Sequence, residues 1–410
     1  MSTLLFNASA SSNNLPPHNW IAPQKTVHFI CDLHADADAL LASLQLGGLL
    51  AAESTLENPL LTEKASDASV IIGGDCFDKG PSNLTLFRLL KRLVESNLDL
   101  QILAGNHDLR VYAGLLATDF QDDLRQAHFF VRMGRKAASL FAEVYQQYCA
   151  EMPLPKTPSS WIENSLMPDE EWFELFPKYA CNFMTAKQIK KELKQIRKKR
   201  IDFIKAWREY GYDWQHLALA VEKAKQLFIE PDGEFYWFFQ NLELMQRHGS
   251  YLFCHAGVDD RIVHRILDEG FEQINLEFND KLRQGKIFEI YYSELGNVVR
   301  TKYRDKDNPL SELGVQSLKN QGIFALVNGH RSHVNGQQLV LRNKLLHIEC
   351  DAELNANCRA KSHLAPGAAA VTILNTYGTV NALSTNRFSL GVLQRNFEPG
   401  HQTWQESLLV

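Results

Sequence analysis

Five short apolar runs in this 410-residue chain each end in a cluster of Asp, His or Asn, and that coincidence restricts the architecture more than any bulk property. The runs are residues 27–31, 70–72, 100–103, 251–254 and 323–327. All are too short for helices, rich in β-branched or aromatic residues, and stopped by Gly, Asp or His, as expected of strands buried on both faces. Between the first three lie segments 37–50 and 83–94; in the second, Leu84, Phe87, Leu90, Leu93 and Val94 recur at helical spacing. Strand, helix, strand, helix, strand implies right-handed crossovers and a parallel sheet. The carboxyl ends of such strands line one crevice, so the polar residues that follow them should converge.

Those residues are Asp32-Leu33-His34 after the first run, Gly74-Asp75-Cys76-Phe77-Asp78-Lys79-Gly80 after the second, and Gly105-Asn106-His107-Asp108 after the third. His255-Ala256-Gly257 ends the fourth and Gly329-His330 the fifth. Carboxylate, imidazole and amide oxygens without a competing thiolate set suit Mn, Fe or Zn. One carboxylate can bridge two ions about 3.5–4 Å apart, an arrangement used for in-line attack on phosphorus. Asp75 is the candidate bridge, Asp32 and His34 face one ion, and Asn106, His255 and His330 complete the second site.

In these motifs the sequence resembles the calcineurin-like metallophosphoesterases, and within them the phosphoprotein-phosphatase branch of bacterial type. That signature runs Asp-x-His, Gly-Asp-x-x-Asp-Arg-Gly, Gly-Asn-His-Glu/Asp, His-Gly/Ala-Gly, Gly/Ala-His. The match covers residues 27–108 and 235–351 in the family's order; one motif alone would be weak, five in order are a strong signal. The resemblance implies an α/β fold, α+β by some schemes: a layered β-sheet core flanked by helices. It implies two divalent cations, with Asp32, His34 and Asp75 on one and Asp75, Asn106, His255 and His330 on the other. It further implies hydrolysis of a phosphomonoester, a phosphoprotein in particular, by a metal-bridging hydroxide, with His107 as general acid oriented by Asp78. A carboxylate beside an imidazole fixes its tautomer and raises its basicity, which suits that role. Asp108 is expected to support the site through hydrogen bonds.

Two departures stand out. The family's motif arginine is Lys79 here, a point charge in place of a bidentate fork. The Gly-His-x-His pattern of many phosphodiesterases is absent, since the next histidine is His333, which favours monoesters. Arg300, upstream of the last motif, and Arg331, beside it, are further candidates to contact phosphate together with Lys79. Rival readings are a dinucleoside polyphosphate hydrolase, a phosphodiesterase, and a binding module that kept the fold without the chemistry.

The rest of the chain divides around these motifs. Residues 1–23, rich in Ser, Asn and Ala with Pro16-Pro17, read as a loose leader without the basic start and apolar core of a signal peptide. Residues 24–111 and 231–395 form the expected catalytic core. Segment 112–230 has almost no strand signal and reads as a helical insertion, a cap or docking arm that would select the substrate. Within it, 125–149 and 186–207 are long apolar-periodic stretches, and the second is strongly basic from Lys187 to Arg200. Segments 338–341 and 345–349 read as a hairpin, 369–374 and 388–392 as further strands, and 396–410 as a tail.

A net charge of −5 argues against a protein built to coat nucleic acid. Seven cysteines without a C-x-x-C pair suggest no disulfide framework and fit a reduced, cytoplasmic setting. With a mean hydropathy of −0.25 and no apolar stretch approaching about 18 residues, no membrane span is expected. The expected partner is a phosphorylated protein or small phosphoester; oligomeric state is not legible.

Overall fold

The computed structural model describes residues 20–120, 122–385, 391–398 and 405–409. The chain falls into two compact units: one comprises 1–106, 241–280 and 290–410, the other 107–240 and 281–289.

The first unit contains two sheets. Strands β1 (Thr26–Ile30), β2 (Ala68–Ile72), β3 (Leu100–Leu103) and β4 (Leu242–Glu243) lie side by side and parallel. On the other flank of β1, β10 (Ala370–Leu374), β11 (Val380–Thr385), β12 (Val392–Phe397) and β13 (Gln405–Leu409) add antiparallel, giving eight strands in the order β13-β12-β11-β10-β1-β2-β3-β4. The second sheet has the order β5-β6-β7-β9-β8, from β5 (Met245–His248), β6 (Tyr251–Cys254), β7 (Ala325–Asn328), β8 (Gln338–Arg342) and β9 (Leu345–Glu349). Val27, Phe29 and Ile71 of the first sheet share a buried cluster with Phe253, Val327 and Ile348 of the second. Both faces of the central strands are covered, so their sequences are continuous apolar runs, not alternating ones.

Helices α1 (Ala37–Leu46) and α2 (Asn83–Glu95) make the crossovers expected between β1, β2 and β3. Asp36 caps α1 by accepting from the Ala39 amide at 3.0 Å, and Ser82 caps α2 through the Thr85 amide at 3.1 Å. Helix α3 (Asn106–Ala117) starts on the residue that closes the first unit's opening segment.

The second unit is helical among its described residues: most of α3, then α4 (Phe129–Met133), α5 (Ala138–Val144), α6 (Ser159–Leu166), α7 (Glu170–Ala180), α8 (Ala186–Arg208), α9 (Trp214–Phe228) and α10 (Tyr236–Gln240). It reaches beyond the expected 112–230 on both sides and includes 281–289. The stretch 125–149, which reads in sequence as one periodic run, is broken: Gly134 sits at φ +71° between α4 and a 3-10 turn, and α5 ends in a π turn at Tyr145–Cys149.

Three expectations need correction or bounds. The carboxyl-end crevice draws on two sheets, not on one open sheet. The expected tail from 396 instead carries the end of β12 and the edge strand β13, which pairs Leu393 with Leu408 and Arg395 with Glu406. Its weak apolar pattern is that of an edge strand with one solvated face. Of the expected strand 388–392, only 391–392 fall within the described residues, and β12 begins at Val392. Leader residues 1–19 lie outside the described residues, while Trp20 packs its ring 5.4 Å from those of Tyr251 and Phe324.

Candidate active site

Three of the strands that lead to the site, β1, β2 and β7, are followed by strained backbone. Asp32, His34, Asp75, Asp78, Lys79 and His330 all have φ between +47° and +71°, a region costly for side chains with a Cβ. Such conformations persist only where surrounding structure over-determines them, and here backbone bonds do so: the His34 amide donates to Asp75 O at 2.8 Å and the Asp32 amide to Gly74 O at 3.1 Å. Two glycines allow the turns to close. A Cβ on Gly105 would lie 2.4 Å from Asp75 Oδ1, and one on Gly329 would lie 2.0 Å from Asp32 Oδ2.

The chain thereby brings Asp75, His255 and His330 together, their ligand atoms all within 4.8 Å of one another. His255 is fully buried. Its Nδ1 lies 2.7 Å from Gly73 O, which makes Nδ1 the protonated nitrogen and leaves Nε2 as a lone pair. That Nε2 has no hydrogen-bond partner among the described residues and sits 3.4 Å from Asp75 Oδ1. His330 Nε2 and Asn106 Oδ1 are likewise buried without a partner. Burial, reinforced by His255, lowers the His330 pKa to about 2, so its imidazole is neutral. Buried polar atoms left unpartnered among the described residues, those of His255 and His330 beside a carboxylate, suit a divalent cation.

On the other side of Asp75, Oδ2 is 3.8 Å from His34 Nε2, which is also 3.8 Å from Asp32 Oδ1. His34 is oriented by Nδ1, 3.2 Å from Phe77 O. The Asp75 carboxylate therefore offers one oxygen to each group of ligands, as a bridge requires. Burial, then the neighbouring Asp75, raises the Asp32 pKa to about 7, and the His330 amide at 2.9 Å and Lys79 oppose that rise. Lys79 Nζ meets His34 Nε2 directly. An ammonium thus stands among ligands that suit a metal.

His107 and Asp108 are buried in the first turn of α3, and Asp78 is buried after β2 with its amide donating to Asn83 Oδ1 at 3.0 Å. The two arginines go elsewhere. Arg300 lies over the Tyr291 ring, 4.6 Å from its centroid, with Asn297 Oδ1 at 3.4 Å from Nε. Arg331 donates to Glu349 Oε1 at 2.6 Å and to the carbonyls of Ala256 and Thr301, leaving Nη2 buried and unpartnered among the described residues.

Sequence reasoning missed two groups. Lys302, two residues beyond Arg300, is a cation whose field, like that of Arg331, reaches His330; burial, then Arg304 and Lys79, lowers its pKa. Nothing in its local sequence distinguishes it. Asp351 is a buried carboxyl close enough to Asp32 that burial and this neighbour push its pKa well up. Its signal was available, since it follows the apolar strand β9 as Asp32 follows β1.

Fold and site define a mixed α/β chain with a buried centre of carboxylates, imidazoles and an amide. No protein-family model and no curated protein matches the sequence. In structure the chain is similar to a cold-active protein-tyrosine phosphatase of a psychrophilic Shewanella species, with 12% identity, 97% of this chain and 91% of that chain covered, and a TM-score of 0.46. A second cold-active protein tyrosine phosphatase structure gives 12% identity, 98% and 91% coverage and 0.48. A protein serine/threonine phosphatase from Saccharomyces cerevisiae gives 10%, 93% and 82%, and 0.36. The functional reading below rests on the side chains, not on these likenesses.

Proposed function

We propose that the chain is a metal-dependent phosphomonoester hydrolase of the calcineurin-like kind, acting on phosphorylated proteins. One observation carries this reading: Asp75, His255 and His330 bring their ligand atoms within 4.8 Å of one another, and the Nε2 atoms of both histidines are buried and unpartnered among the described residues. Asp32, His34 and Asp75 would hold one cation, and Asp75, Asn106, His255 and His330 the other. When bound, such a pair supplies an acidified water and withdraws charge from the phosphoryl oxygens.

The chain's own residues would do the rest. Gly73 O keeps His255 in the tautomer that presents Nε2, and Phe77 O does the same for His34. Lys79 and Lys302 supply positive charge for the phosphate, Arg331 adds its remaining N–H donors, and His107 protonates the leaving oxygen. Asp78 is assigned to orient His107, and Asp108 to support it.

Manganese analysis of the dialysed protein, paired with turnover of a small aryl phosphate, tests this in Asp75→Asn and His107→Asn. The first should lose metal and activity together. The second should keep metal and lose about 100-fold or more in kcat. An Asp75→Asn protein with full metal content and wild-type rate would overturn the reading. A phosphopeptide, diadenosine tetraphosphate and a phosphodiester assayed side by side should show the phosphopeptide turned over fastest.

A further inference from the structure

Helix α8 is amphipathic in an unusual way. Ile189, Ile196, Phe203 and Trp207 are buried, Glu192 is buried in an ion pair with Arg132 at 2.7 Å, and Arg197 and Arg200 are paired with Glu170 and Glu163. Lys187, Lys190, Lys191, Lys194 and Lys198 are exposed, and none has a carboxylate partner among the described residues. At 3.6 residues per turn these lysines, continued by Lys205 and Arg208, fall within a stripe about 100° wide along one side of the helix. Three pairs stand at i,i+4 (Lys187/Lys191, Lys190/Lys194, Lys194/Lys198), each repelling across one turn of the helix until negative charge lies along them.

The same helix borders two grooves. One, of about 530 Å³, is lined by Pro177, Ala186, Ile189 and Leu193 with Lys190, Lys194 and Arg197 at its rim. The other, of about 600 Å³, is lined by Ile201, Ile204 and Trp214 together with Lys205, Arg208, Glu209 and Glu163, the last of which is paired with Arg200. Ile201 is 68% exposed, an apolar side chain left in water between basic ones. Leu193 in the first groove and Ile204 in the second are about eleven residues apart on α8, roughly 17 Å at 1.5 Å per residue.

We propose that this face of α8 is a docking surface for an acidic segment of a partner protein that presents two apolar side chains about 17 Å apart. The basic stripe steers and registers the segment, and the two grooves take its anchors. A nucleic acid would match the charge but leave both apolar grooves unfilled. A membrane surface would need the apolar face of α8, which is buried within the helical unit. The proposal stands apart from the assignment of the metal centre, because every residue in it belongs to the helical unit and none to the ligand set.

The test is fluorescence anisotropy with the full chain and a labelled helical peptide of about 18 residues, two leucines about eleven positions apart and glutamates between them. Saturable binding that weakens with added salt is expected. Reversing the stripe in Lys190→Glu/Lys194→Glu/Lys198→Glu should weaken it at least about tenfold, as should Ile201→Asp, which spoils a groove without touching the lysines. A peptide with its leucines replaced by serine should bind as weakly as the variants bind the parent. The idea fails if the reversed variant binds the parent peptide as the wild type does. It fails equally if phosphatidylserine vesicles or single-stranded DNA bind more tightly than the peptide.

Discussion

Two buried carboxylates a few ångströms apart are unfavourable when both are ionised, and Asp32 and Asp75 show it: burial and mutual repulsion raise the Asp32 pKa to about 7. A cation relieves this, and the Lys79 ammonium, which meets His34 Nε2, opposes the rise at Asp32. Lys79 and a metal ion therefore compete for the same lone pair. Replacing Lys79 with Ala should raise the manganese retained per chain after dialysis while weakening phosphate binding, seen as a higher KM and a shallower dependence of KM on added salt. Unchanged metal content would show that the ammonium yields freely. The candidate ligands stand out in the sequence because each closely follows a strand, whereas Lys302 stands in a loop, and no local pattern marks it. Adjacency in sequence could not show that the Arg300 guanidinium stacks on Tyr291 or that Arg331 is held by buried Glu349.

Among the elements, α2 was legible from its apolar spacing and α1 from its place between two strands, and the structure adds their caps, Asp36 and Ser82. Asp36 also has a second partner that sequence could not reveal: Oδ2 accepts from the Ala356 amide at 2.7 Å, tying the cap of α1 to a segment 320 residues away. Asp36→Ala removes an N-cap and leaves a second amide unsatisfied, so it should cost about 3 kcal/mol of stability by urea titration. Asp36→Asn keeps an acceptor for the helix amide and should cost less than half as much. A loss below about 0.5 kcal/mol in the alanine variant would mean that water satisfies both amides. Helix α8 was predicted almost to the residue because it is long, periodic and closed by a Thr185/Gln188 capping box. The stretch 125–149 was not, because apolar spacing continues through Gly134, where the backbone turns, and through the π turn that follows.

For the whole molecule, buried histidines make folding sensitive to mild acid. Burial lowers His28 from 6.5 to about 4, outweighing its contact with Gly47 O, and burial together with Arg331 and Arg342 holds His347 well below its ordinary value. A folded-state pKa below the unfolded one means that stability is complete above about pH 6.5 and declines as pH falls toward 4, by about 3 kcal/mol for His28 alone. At lower pH a second loss sets in. Burial alone would raise Glu349, but His333, Arg331 and Arg342 hold it well below the usual carboxylate range, and protonating it costs that stabilisation. Urea midpoints measured from pH 7.5 down to 4.5 should fall along this course, and His28→Gln, which can still donate to Gly47 O, should flatten the upper part. A midpoint independent of pH between 6.5 and 5 would exclude it. The same accounting separates what the chain encodes locally from what it does not. Runs of apolar residues closed by Asp, His or Asn determined the strands, the crossovers and the candidate ligands, because a strand buried on both faces and a group able to hold a metal each demand particular residue types at fixed spacing. The presence of two sheets, the edge strand at 405–409, the lysine among the ligands and the extent of the helical unit were decided only in the tertiary structure. Each depends on which surfaces meet, and contact between residues hundreds of positions apart leaves no period or motif in the sequence around either partner.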